Sequence, residues 1–344
     1  MHVFPRSSPS TNMRSAKQRN VPSWGFLGQL AVASLLVTLI PLAAVAVLDD
    51  GMPDGWVGWT LPLARALVHL TSLVTIALLC VGVLLPGGAR GDELSPEAER
   101  LGRRGSTAAL AAVVACGVLL LLTYFDVLGA GPLQAGFSDF GLFLDQLASG
   151  RALIAQIAFL LASAVIGTMA RTLTALRMAL FLAVAGTTTL ALGGHAASES
   201  GHGLAMFSMT GHIAAASLWV GGLAGLAWLA VTRSNLLHLT VRRFSRIALI
   251  CATVVALSGV MSALVRVPDL ATLASSSYGL VLLLKVLVLG LLITFGAMHR
   301  RRLLDGNTFS RADFGKLATG ELVIMGVAYG LAVALVALQP PVPA

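Results

Sequence analysis

Charge is what this sequence has least of. Asp, Glu, Lys and Arg make up 11% of its 344 residues, against 57% for the apolar set from Ala to Cys. A soluble domain carries about 25% charged residues. Too few charges are present to clothe a water-facing surface, which excludes an ordinary soluble enzyme and a disordered chain. Acidic residues are the scarcer sign, 15 against 23 basic ones, giving a net charge of +8. That excess signals nucleic-acid binding only if it forms one exposed face, and its distribution argues otherwise. Cysteine is rare as well. Cys80, Cys116 and Cys251 lie inside apolar runs and form no CxxC pair, so each reads as a small apolar packing residue. HExxH and a phosphate-binding glycine loop are also missing, as are a low-complexity tail and a clear internal repeat.

What the sequence has in quantity is long apolar runs, with a mean hydropathy of +0.87. A membrane-crossing helix needs about 20 mostly apolar residues. Nine runs qualify: 24–48, 60–86, 107–130, 151–170, 178–195, 206–232, 247–267, 279–298 and 317–338. The fifth is the shortest. None alternates as a membrane β-strand does. The first follows a basic tail and contains Ala44-Val45-Ala46, the look of a signal peptide, but its apolar run is about twice the usual length and it reads as a retained helix. The expected fold is all-α, a polytopic transmembrane helix bundle of about nine spans. It divides into a basic tail over 1–23, membrane helices over 24–195 and a second membrane region over 196–340.

Lysine and arginine orient the bundle. Nineteen of the 23 fall in the tail, between spans 2 and 3, after spans 4 and 6, and between spans 8 and 9. The exceptions are Arg65, Arg151, Arg266 and Lys285. The positive-inside rule then places the N-terminus in the cytoplasm and the C-terminus outside. An odd number of spans agrees. The expected setting is the cytoplasmic membrane, with the basic charge serving topology and anionic-lipid contact rather than nucleic acid.

Ionisable residues at membrane depth usually mark a pathway or a site. Arg65 and His69 are i and i+4 on one helix face. Asp126 and Lys285 lie in the outer half of their spans and are expected to neutralise each other. The densest polar stretch runs from His195 through His202, Met206 and Met209 to His212, joining spans 5 and 6 on the outer side. On a helix beginning near 202, the last four fall within about 120° of one face. Imidazole and thioether donors together suit a soft or borderline metal, copper above all, and as Cu(I). Met261 lies near the depth of His212, and His69 slightly deeper. The candidate ligand set is therefore His69, His195, His202, Met206, Met209, His212 and Met261. Two other readings of the same residues stay open: a packed or proton-handling histidine cluster, and a haem b site in which His69 pairs with His212 or His195.

Several segments resemble the CopD family of copper-resistance membrane proteins. They are His212 followed by small residues and Trp219-Val-Gly221-Gly222; Arg243-Phe244-Ser245-Arg246 leading to Ser258-Gly259; Tyr278-Gly279 followed by Lys285; Glu321 opening the last helix with Pro340 after it; and Arg65 with His69. His299-Arg300 departs from the family's Asn-Arg. Gly221 and Gly222 also have a purely structural reading, as positions where helices approach closely, and Trp219 one as a packing residue. The resemblance implies copper handling at the cytoplasmic membrane, inward from outside, by a protein that is not an enzyme. It also implies a separate extracytoplasmic copper chaperone as partner beside the lipid bilayer. Neither the fused copper-binding β-domain nor the oxidase-assembly half of some family members is expected here.

Overall fold

A computed structural model of the chain describes residues 55–88, 91–129, 137–189, 191, 202–232, 234–266, 277–304 and 311–337. The first expected span, the N-terminal tail and His195 lie outside these. The described residues form nine helices: α1 (Gly55–Leu84), α2 (Pro96–Leu128), α3 (Phe137–Gln146), α4 (Ala148–Met169), α5 (Leu173–Thr188), α6 (His202–Thr232), α7 (Ser234–Arg266), α8 (Ser277–Leu304) and α9 (Arg311–Ala337). Among the described residues, the only strand-like pairing is a single bridge between Glu93 and Thr172. The chain is an all-α polytopic membrane bundle. Seven helices, all but α3 and α5, are long and apolar enough to cross a bilayer.

Caps explain where the helices depart from the apolar runs. Ser95 accepts from the Ala98 N–H and Pro96 opens α2, so α2 begins three turns before its apolar stretch, and Arg100, Arg103 and Arg104 are helical rather than loop. Its end is set by Gly129, in the left-handed region at φ 59°, where a side chain is disfavoured. Thr172 caps α5 through the Ala175 N–H, so the fifth run starts earlier than its hydropathy suggests, as a 16-residue helix about 24 Å long. The short α3 was not evident from hydropathy. Phe140 and Phe143 pack on Tyr124 of α2 with ring centroids 5.2 and 5.4 Å away, pinning α3 across that end.

The turn between α1 and α2 meets the turn between α4 and α5. Leu94 N–H donates to the Arg171 carbonyl at 3.0 Å and Leu173 N–H to the Asp92 carbonyl at 2.8 Å. Arg243, early in α7, donates to the Leu84 and Leu85 carbonyls at 2.9 and 3.1 Å. Arg100, Arg103, Arg104, Arg171 and Arg243 are thereby gathered at one end of the bundle, here called the basic end.

The interior mixes leucines such as Leu79, Leu160, Leu176 and Leu226 with small and hydroxyl residues, while other large apolar side chains face out. Ser72, Thr75, Ser106 and Ser163 are buried, whereas Val114, Val165, Phe181 and Val286 are well over half exposed. A large apolar outer surface together with hydroxyls inside is what a lipid solvent selects. Thr75 and Ser106 donate within their own helices, to the Thr71 carbonyl at 2.9 Å and the Gly102 carbonyl at 3.0 Å, and Ser163 donates across to the Ala179 carbonyl of α5 at 2.8 Å. α1 and α6 are central. α1 packs on α2, α5, α6 and α7, and α6 also packs on α5, α7 and α9. α8 is peripheral, held mainly by α9.

Candidate metal site

The site's depth is set by the crossing beneath it. A Cβ on Gly221 would stand 2.7 Å from Cγ2 of Ile76, and one on Gly225 would stand 2.6 Å from the Ala77 carbonyl oxygen and from Cγ2 of Val81. α1 and α6 therefore run side by side in the same direction. Seven residues outward from Ile76 is His69, and seven outward from Gly221 is Ala214. His69 is thus within about half a turn of the level of His212, as expected from the two sequence depths.

α7 runs the opposite way against α6. Gly222 meets the Phe244 ring, and further out Ser208 Oγ donates to the Ser258 carbonyl at 3.3 Å. His212 Nδ1 lies 2.7 Å from Ser258 Oγ. Ser258 has one hydroxyl proton, and its oxygen sits 2.6 Å from the Val254 carbonyl, which can only accept. With that proton donated to Val254, Nδ1 of His212 is the donor to Ser258. Nε2 then carries the lone pair, the form in which imidazole binds a metal. Met261 is three residues beyond Ser258, on the same face of α7 one turn further from the basic end.

His69 engages a different neighbour. Its ring meets Tyr329 of α9 edge-on, with centroids 5.3 Å apart and planes at 69°. The charge of Arg65 acts on both His69 and Tyr329, and that of Lys285 on α8 acts on His212. The expected Asp126–Lys285 neutralisation does not suit the packing. Asp126 is exposed on α2, which packs on α1 and α4, while Lys285 rides on α8 against α9.

Of the seven candidate ligands, His69, Met206, Met209, His212 and Met261 are half-buried. The backbone of His202 opens α6, its side chain lying outside the described residues together with His195. Among the described residues, no three of His, Cys, Asp and Glu gather as a metal site. Tyr329, the contact of His69, was not singled out by sequence reasoning. Ser258 entered there only through the Ser258-Gly259 segment of the family resemblance, without its part in orienting His212.

Trp219 is buried in the core, and Gly221 and Gly222 are close-approach positions, so the structural reading of that segment holds. Arg243 and Phe244 are structural as well, one capping α1 and the other filling the space opposite Gly222.

Two family models match the chain. Residues 52–206 are similar to the copper resistance protein D-like N-terminal domain and residues 238–335 to copper resistance protein D. Together they cover about three quarters of the sequence. The gap between them, 207–237, holds Met209, His212 and the Trp219 segment. No curated protein and no solved structure shows significant similarity to the chain.

Proposed function

Since the chain belongs to the copper resistance protein D family, a family of copper-resistance membrane proteins, we propose that it takes up copper ions from the extracytoplasmic side. They enter through the His/Met layer at the end of the bundle opposite the arginines. The observation that carries this reading is the His212 Nδ1–Ser258 contact, which leaves the lone pair on Nε2, with Met261 one turn beyond Ser258 on the facing helix. Thioether and neutral imidazole hold Cu(I) without adding charge to the membrane. His195 and His202 at the mouth capture the ion, Met206 and Met209 pass it inward along α6, and His212, Met261 and His69 form the inner stage. A row of few-donor sites suits conduction, because the ion must also leave each of them. An inside-negative potential favours inward movement of a monovalent ion by about 2.3 kcal/mol per 100 mV. The protein acts as a carrier at the cytoplasmic membrane, not as an enzyme, and receives copper from a separate extracytoplasmic chaperone.

The test is copper uptake into proteoliposomes of defined orientation, together with cellular copper accumulation at matched expression. His212→Ala is expected to lose most of the uptake, because no solvent is present to fill the open ligand position. His238→Ala, exposed at the basic end of α7, is expected to behave as wild type. Wild-type uptake by His212→Ala with loss in His238→Ala would overturn the placement. A Soret band that shifts on dithionite reduction of the purified protein would favour haem instead.

A further inference from the structure

Below the His69–Tyr329 contact an ion must still cross the rest of the bundle to reach the basic end. α8 starts beside the His/Met layer, where Lys285 acts on His212, and α9 returns outward from the basic end. Counting from Tyr329 toward that end, Met325 lies one turn below and Glu321 two turns below, on one face of α9. Both are buried, at 6% and 5% exposure. Glu321 stands seven residues inside the apolar span that begins at Phe314, about 10 Å from its edge. On α1, Ser72 stands one turn below His69, level with Met325. Ser72 is 2% exposed, and its Oγ finds no hydrogen-bond partner among the described residues. α1 and α9 both pack on α6, so these three side chains follow one seam beside it. The close crossing of α1, α6 and α7 leaves α9 out.

Acidic groups buried at membrane depth are costly and usually mark an ion or proton path. Along this seam the charge changes sign. Arg65 acts on His69 and Tyr329, and Lys285 acts on His212, so the outer layer combines neutral ligands with positive charge nearby. Glu321 brings a carboxylate two turns further in. A cation leaving the outer donors is therefore repelled from behind and attracted ahead.

We propose that Ser72, Met325 and Glu321 form the release stage of the copper passage, an inference that rests on the uptake proposed above. The Met325 sulfur takes the ion from His69, the Ser72 oxygen adds a weak second contact, and the Glu321 carboxylate balances its charge before it leaves at the basic end. Thioether suits Cu(I), whereas carboxylate suits harder ions and holds a soft one weakly. Weak holding is what a last stage requires, because the ion must leave it.

Cu(I) uptake into proteoliposomes, Cu(I) affinity in detergent by competition with a chelator, and melting temperature are measured on the full-length protein and its variants. Glu321→Gln keeps the shape and loses the charge. It is expected to lose about tenfold in uptake, the effect of removing one counter-charge at close range, while keeping wild-type melting temperature and the Cu(I) affinity of the outer layer. Glu321→Asp, which keeps the charge, is expected to recover part of the uptake. Met325→Leu conserves volume and loses the sulfur; it is expected to lose uptake several-fold at unchanged stability, and it carries the test if Glu321→Gln does not fold. Wild-type uptake by both Glu321→Gln and Met325→Leu would overturn the release stage and leave the outer layer standing. Uptake that falls only in step with melting temperature, or an equal loss in Glu321→Asp and Glu321→Gln, would make Glu321 a structural residue and overturn it as well. No uptake by the wild type would end the proposed function itself, and this stage with it.

Discussion

Between Gly221 and Gly225, α6 has no room for one more methyl group, while three turns outward, between Gly203 and His212, the same helix has space to spare. A Cβ on Gly225 would press on the Ala77 carbonyl and one on Gly222 on the Phe244 ring; a Cβ on Gly211 would find nothing nearer than 3.9 Å, and one on Gly203 nothing within 4 Å. The tight layer is where α1, α6 and α7 cross and where Arg243 closes the end of α1. The loose layer holds the half-buried histidines and methionines. A bundle braced at one depth can leave another depth adaptable, and adaptability is what a thioether-lined passage needs.

The strongest way to break this contrast is to move one methyl group between the layers. Gly225→Ala opposes backbone, which cannot rotate away, and is expected to cost about 3 kcal/mol or more, at the upper end of overpacking effects. Gly211→Ala is expected to leave the melting temperature in detergent within error of wild type or slightly above it, since alanine favours helix. Gly222→Ala differs from both because its obstacle is a side chain, and Phe244→Leu in the same chain is expected to recover part of the loss. Similar melting temperatures for Gly225→Ala and Gly211→Ala would erase the distinction between the layers.

Next in size is the cap. Arg243 donates to two carbonyls that end α1, and hydrogen bonds involving a charged group contribute about 1.5–3 kcal/mol. Arg243→Gln is expected to lower thermal stability by that order while leaving copper affinity per folded molecule intact. Loss of affinity without loss of stability would move Arg243 from the brace into the pathway.

Much of this was legible in the sequence. Hydropathy marks the stretch a helix passes through lipid, so the seven long spans stood out. It is blind to polar turns that continue a helix into the interface, and α2 and α7 therefore begin well before their apolar runs. α3 escaped because ten residues make no hydropathy peak. For the site, residue counting gave depth, because rise per residue is constant, and it set His69 level with His212. Rotation about each helix axis was not available in the same way. Only packing shows that His212 turns to Ser258 and His69 to Tyr329, and that Lys285 rides on α8 against α9, away from Asp126 on α2.

Ser258 gives the third prediction. Groups that orient a ligating histidine typically contribute 10- to 100-fold in metal affinity. Ser258→Ala removes the acceptor for Nδ1 and is expected to weaken copper binding within that range, measured by competition with a Cu(I) chelator, with little change in melting temperature. Ser258→Thr keeps the hydroxyl and is expected to retain most of the affinity. An affinity for Ser258→Ala equal to wild type would place the metal elsewhere, and the loose layer would be no more than loosely packed.

The smallest expected effect concerns Tyr329, and it decides whether α9 belongs to the loose layer's chemistry or only closes its side. The His69–Tyr329 contact is ring on ring, edge to face, and such pairs contribute about 0.5–1.5 kcal/mol beyond the area they bury. Tyr329→Phe keeps the ring and removes the hydroxyl; Tyr329→Leu removes both. If the ring alone holds His69 in place, Tyr329→Phe is expected to match wild type in stability and copper uptake, and Tyr329→Leu to lose about 1 kcal/mol of stability and a few-fold in uptake. If the hydroxyl takes part in passing the ion, Tyr329→Phe falls to the level of Tyr329→Leu in uptake while keeping wild-type stability. The pair of variants thus separates a wall from a participant, because shape is conserved in one and chemistry is lost in both.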